Sequence, residues 1–189
     1  MEMNLEIILG IVITLIIISI VIWFVTIYNS LIRLRNNINK AWSNIDVILK
    51  QRNDELPKLV ETCKGYMKYE KEVLEKLTEL RTRWSLSNTL KEKAKISDEI
   101  STALKTLFAV AENYPDLKAN KNFLQLQERI SGLENELADR REFYNDSVNN
   151  YNIRIQSIPD KFIARILRYK PIDLFKATEE EKKDVEIKF

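Results

Sequence analysis

The residue types that do chemistry are few in kind here. The chain has 28 Asp and Glu, 30 Lys and Arg, one cysteine and no histidine. Without histidine there is no His-based triad, no imidazole metal ligand and no Glu-x-x-His pair of the sort di-iron bundles use. One cysteine, Cys63, excludes both a four-cysteine zinc site and an intramolecular disulfide, and it fits a reducing cytosol. Three glycines, with no G-x-x-x-x-G-K pattern, exclude a phosphate-cradling loop. Carboxylate pairs remain as candidates, but the acids fall mostly on polar helix faces. The expectation is a protein with no catalytic site, no metal and no cofactor.

Two chemically able residues fall on apolar stripes. Cys63 reads as a small buried hydrophobe, the alternative being a reactive thiol. Glu70 interrupts the stripe that contains Cys63. Counted from a turn near Asn53, Arg35 lies 18 residues before and Glu70 lies 17 after. An antiparallel pair would bring them to one height, with Gln127 near the same layer. This predicts an Arg35–Glu70 contact joined by Gln127, because an unpaired buried charge is costly. Such a layer fixes helix register more often than it performs chemistry. The alternative is that both side chains snorkel to water.

The elements that position these residues are helices. Apolar residues recur at spacings of three and four throughout the body. After residue 28 the first stripe is Leu31, Leu34, Ile38, Ala41 with Trp42, Ile45 and Leu49. The polar cluster Lys50-Gln51-Arg52-Asn53-Asp54-Glu55 then predicts a turn, with Asn53 or Asp54 capping a second helix and Pro57 in its first turn. One continuous kinked rod is the alternative. A helix over about 54–84 carries Leu56, Leu59, Cys63, Tyr66, Val73, Leu77, Leu80 and Trp84. A third, about 89–113, opens on the capping pattern Thr89-x-x-Glu92 and carries Ile96, Ile100, Leu104, Leu107 and Ala111. Asn113-Tyr114-Pro115-Asp116 makes the next corner. The fourth helix runs to about Ser157 through Phe123, Leu126, Ile130, Leu133, Leu137, Tyr144, Val148, Tyr151 and Ile155. Short corners between long amphipathic helices predict an all-α, antiparallel up-down bundle of about four helices over 28–157.

Residues 7–27 form 21 consecutive uncharged positions, with Thr14, Ser19 and Thr26 as their only hydroxyls. At about 1.5 Å per residue this run matches the ~30 Å hydrocarbon core. It predicts a single transmembrane helix. Glu2 and Glu6 precede the run, which is too long for a signal peptide and lacks the basic n-region of one. Trp23 and Tyr28 suit the interfacial aromatic belt. Arg33, Arg35 and Lys40 follow with no acid before Asp46, which predicts residues 1–6 outside and the bundle in the cytoplasm.

From 158 onward an amphipathic segment leads into a charged tail. Phe162, Ile163, Ile166 and Leu167 share a face that Arg165 and Arg168 flank. This face is a candidate for docking on anionic lipid, and the alternative is that it caps the bundle end. The last residues are charge-rich and expected to be mobile, with an alternating Val185-Glu186-Ile187-Lys188-Phe189. The net charge of +2, with signs interspersed, reads as a solvated helical surface and argues against nucleic acid as a partner.

Three blocks of the body resemble the LemA family of membrane-anchored helical proteins. The first runs from Tyr28-Asn29-Ser30-Leu31 through Ala41-Trp42-Ser43-x-Ile45-Asp46-Val47 and Leu56-Pro57-x-Leu59-Val60-Glu61-Thr62 to Lys64-Gly65-Tyr66. The second is Ala109-Val110-Ala111-Glu112-x-Tyr114-Pro115-Asp116-Leu117-Lys118-Ala119-Asn120 with Asn122-Phe123-Leu124-Gln125-Leu126-Gln127. The third is Arg140-Arg141-x-Phe143-Tyr144-Asn145 with Tyr151-Asn152. Tyr69 departs from the pattern, which favours histidine there. The resemblance implies one N-terminal span, a long helical bundle and no established enzymatic activity. Bacterial relatives often neighbour a membrane zinc peptidase, which implies a partner class. The resulting expectation is an adaptor or scaffold on the membrane. The alternative is a self-assembling protein that binds or shapes lipid.

Overall fold

The computed structural model describes residues 2–175, which are helical apart from short corners and the stretch 167–175. Six helices occur in order: α1 Glu2–Lys64, α2 Lys71–Leu86, α3 Leu90–Ala111, α4 Pro115–Lys118, α5 Lys121–Gln156 and α6 Asp160–Ile166. The all-α expectation holds. The segment Val185–Phe189 lies outside the described residues.

The expected turn at 50–55 is absent. α1 runs unbroken for 63 residues with Pro57 inside it. The polar cluster that reads as a turn is partnered by other helices instead. Arg52, Asn53 and Glu55 are all buried. Arg52 meets Ser97, Ser101 and Glu134, Asn53 donates to the Ser85 hydroxyl, and Glu55 pairs with Lys58 and Arg129. Most of their buried polar atoms are thereby partnered, Arg52 Nε and Asn53 Oδ1 excepted, so little pulls the chain out of the helix. The break comes later, at Gly65–Glu70, where the Tyr66 and Met67 amides fold back to the Cys63 carbonyl at 3.0 and 2.8 Å. The expected helix over 54–84 is therefore the end of α1 followed by α2.

Other boundaries follow local chemistry. The Thr89 hydroxyl accepts from the Glu92 amide at 3.2 Å and opens α3. Pro115 begins α4, where its missing N–H has no consequence. The Asn120 side chain accepts from the Asn122 and Phe123 amides at 2.9 and 3.1 Å and opens α5.

The chain forms two compact units. One contains Trp42–Phe143 with Phe175. Its pairings give the direction of each helix. Arg52 meets Glu134 and Glu55 meets Arg129, so α1 and α5 are antiparallel. Asp46 meets Lys93 and Arg52 meets Ser97 and Ser101, so α1 and α3 are parallel. α2 turns back tightly onto α3, with Arg83 on Glu99 and Lys93 over the Trp84 ring. The result is the expected up-down arrangement, with a core of Ile45, Leu49, Leu56, Leu59, Leu77, Ile100, Leu107, Phe123 and Ile130.

The other unit contains the residues up to Ala41 with Tyr144–Leu174. Ile27, Leu31 and Ile38 of α1, Val148, Tyr151 and Ile155 of α5, and Ile163 of α6 are buried in it. Beyond α6 the chain folds back on α5. The Asn152 side chain donates to the Ile172 carbonyl and accepts from the Ile172 amide at 2.8 and 2.9 Å. From Leu5 to Thr26 every α1 side chain is exposed, and this part of α1 is long and apolar enough to cross a membrane.

Candidate functional site

The most developed polar constellation is a layer inside the four-helix unit. Arg52, 1% exposed, projects from α1 along the stripe of Leu49, Leu56 and Leu59. Its Nη1 donates to Ser101 Oγ at 2.8 Å and to Glu134 Oε1 at 2.5 Å. Its Nη2 donates to Ser97 Oγ at 2.8 Å and to the Ser97 carbonyl at 3.2 Å. Arg141 Nη2 reaches the same Ser97 hydroxyl at 2.8 Å and pairs with Asp98 at 2.8 Å. The Ser101 hydroxyl lies 2.6 Å from Glu134 Oε2. Two guanidiniums face two carboxylates, so the layer is neutral.

Burial pulls the Arg52 guanidinium below its ordinary value, and the neighbouring Glu134 opposes that shift. Guanidinium still stays charged at any physiological pH. The layer holds Glu134 at both oxygens: Arg52 donates to Oε1 and the Ser101 hydroxyl to Oε2. Its effect is geometric. It pins α1, α3 and α5 at one register, since any slip would strand a buried charge.

This layer takes the place of the one expected at Arg35, Glu70 and Gln127, which are not brought together. About 29 residues of unbroken α1, ~44 Å at 1.5 Å per residue, separate Arg35 from Lys64. The expected pairing needed the turn that α1 lacks. The Arg35 guanidinium lies 5.4 Å over the Tyr169 ring. Glu70 accepts from the Tyr114 hydroxyl at 3.4 Å. Gln127 is half-buried on α5. The sequence did carry a signal for Arg52: it continues the stripe Ile45, Leu49, Leu56 and Leu59 at steps of three and four. Likewise the gap between Leu137 and Tyr144 is filled by half-buried Arg141, while Arg140 is exposed.

A second constellation closes one end of the same unit. The loop after α1 and the corner around α4 meet there. The Asn120 amide donates to the Tyr66 hydroxyl at 3.0 Å, and Tyr114 bonds Glu70. Leu117 is fully buried beneath them, while Tyr69 is 91% exposed. Cys63, at the root of this loop, is buried, and burial pushes its thiol up to about 11. A thiol at that value is not nucleophilic near neutrality.

The expected lipid face on α6 divides. Ile163 is buried and Leu167 half-buried, whereas Phe162, Ile166, Arg165 and Arg168 are exposed. Among the described residues no group of three His, Cys, Asp or Glu side chains could hold a metal ion.

An apolar helix long enough to cross a membrane, leading into an up-down bundle with a structural charge layer, defines a membrane-associated helical protein. The LemA family model matches residues 41–189, and the chain belongs to the LemA family. It is 32% identical to Protein LemA of Metamycoplasma hominis over 84% of this chain and 73% of that protein. It is also 22% identical to the magnetosome proteins MamQ 1 and MamQ 2 of Paramagnetospirillum magneticum, over 78% of this chain and 64% of each of them. The chain thus spans less than two thirds of those MamQ proteins.

Proposed function

We propose that this protein is a membrane-anchored adaptor. α1 crosses the bilayer with its N-terminal side outside, and the bundle faces the cytoplasm and docks a second protein at the tip formed by Tyr66, Tyr69, Glu70, Tyr114 and Asn120. One observation carries the reading. Two motif blocks far apart in sequence, one ending at Tyr66 and the other containing Tyr114 and Asn120, meet at this tip through the Asn120–Tyr66 hydrogen bond, and Tyr114 bonds Glu70 just beyond the first block. Fully exposed Tyr69 stands beside them. Tyrosine supplies large contact area at small entropic cost and is enriched in binding hot spots. A membrane peptidase is the partner class that the LemA resemblance implies, and a further copy of this chain is the competing occupant.

The experiment is chemical crosslinking in intact membranes, then purification and mass spectrometry of the attached protein. The expected result is a distinct membrane protein whose yield falls at least tenfold with Tyr69→Ala and Tyr66→Ala, about the loss that one hot spot of 1.4 kcal/mol or more gives. Crosslinks only between copies, or a yield untouched by both variants, would overturn the adaptor reading.

A further inference from the structure

The corner between α5 and α6 leaves apolar surface uncovered where the fold has every means to hide it. Ile158, Phe162 and Ile166 are 76%, 61% and 70% exposed, while their neighbours Ile163 and Ala164 are fully packed. Phe162 and Ile166 are four residues apart on α6 and share one face. Lys161, Arg165, Arg168 and Lys170 around them are all exposed. The one acid in the segment, Asp160, is buried and paired with Arg154. The surface is therefore apolar with a basic rim.

Its position follows from the packing of the same unit. The Arg35 guanidinium lies over Tyr169, whose ring packs at a tilt against Tyr151, so Arg35 and Tyr151 stand at one height. α5 runs antiparallel to α1. Eight residues back along α1 from Arg35 is Ile27, a rise of ~12 Å, and five onward from Tyr151 is Gln156, the last residue of α5, a rise of ~8 Å, with the corner at 157–159 just beyond it. Ile27 is the last residue of the uncharged run and is 5% exposed, although Trp23, Phe24 and Tyr28 around it are open. The α5–α6 corner thus reaches the end of the span, at the level of its interfacial aromatics.

We infer that Ile158, Phe162 and Ile166 insert into the headgroup region of the bilayer that α1 crosses, with Lys161, Arg165 and Arg168 on anionic lipid headgroups. The occupant is lipid because the surface is continuous with the span and because its rim is uniformly basic. The contact gives the protein a second hold on the same leaflet. This inference needs α1 to cross the membrane, but it is independent of what docks at the tip.

The test uses the full chain in vesicles of phosphatidylcholine with phosphatidylglycerol that contain a lipid with a nitroxide near its headgroup. In a Cys63→Ser background, Phe162→Cys or Ile166→Cys carries an environment-sensitive fluorophore. Both sites are exposed, so neither label disturbs the core, and Thr106→Cys on α3 serves as the control. The expected result is that emission at 162 and 166 is quenched by more than half while position 106 is unaffected. Lys161→Gln with Arg165→Gln should then weaken that quenching. Quenching at 162 and 166 no greater than at 106 would overturn the inference. So would efficient disulfide formation between unlabelled copies at position 162, which would assign the surface to a second copy.

Discussion

Arg52 brings a full charge into the bundle interior and directs it onto three side chains from two other helices. Removing it leaves Glu134 without its cation, Ser101 without its donor and Ser97 with Arg141 alone. Breaking such a buried pair costs about 3–5 kcal/mol. Arg52→Ala should therefore unfold the bundle at markedly lower denaturant, followed by circular dichroism in detergent. A loss below about 1 kcal/mol would show that the layer is not structural. Ser97→Ala takes the shared acceptor from Arg52 and Arg141 and should cost about 1–3 kcal/mol. Cys63 gives a test in pH. Its folded value, about 11, lies above the unfolded value of about 8.5. Its contribution to stability is thus complete below about pH 8.5 and is lost as pH rises towards 11. In the folded protein the thiol should resist alkylation at neutral pH and react promptly once denatured. Alkylation of the native protein at the rate of a free thiol would contradict the burial. Glu55 has the opposite sign. Burial raises its value, but the Lys58 hydrogen bond and charge, with Arg129, outweigh that and leave it below the ordinary carboxylate range. Its contribution is present above the unfolded carboxyl value and fades as pH falls through the folded one.

At the scale of elements, α1 is the departure from what periodicity alone suggests. A proline two residues after a polar cluster reads as a helix start, since Pro57 fits both a first turn and an interior. Local sequence cannot separate the two readings, because the deciding partners, Ser85, Ser97, Glu134 and Arg129, are up to 82 residues away. α5 shows the opposite situation. Its stripe Phe123, Leu126, Ile130, Leu133, Leu137, Tyr144, Val148, Tyr151 and Ile155 is readable from spacing alone, and every member is buried except half-buried Leu126. Long apolar periodicity survives without knowledge of the partner, and polar pairing does not. The continuous helix makes a prediction that a turn would not. An interior proline forfeits a backbone hydrogen bond, so Pro57→Ala should stabilise the protein by about 1–3 kcal/mol. At a helix start the same change would be neutral or destabilising. Thermal unfolding of the variant decides between them. Thr89→Ala, which removes the cap of α3, should cost about 1 kcal/mol.

For the molecule as a whole, the long apolar helix and the bundle together define the class, and the LemA relationship rests on most of the chain. The adaptor reading turns on the tip beside Tyr69 docking another protein. The most direct measurement is site-specific photocrosslinking in living cells. A photoreactive amino acid would replace Tyr69 in one variant and Lys105, on the exposed face of α3, in the other. One discrete crosslinked band to a different membrane protein is expected from position 69 and none from position 105. No adduct from position 69, or the same adducts from both positions, would contradict it.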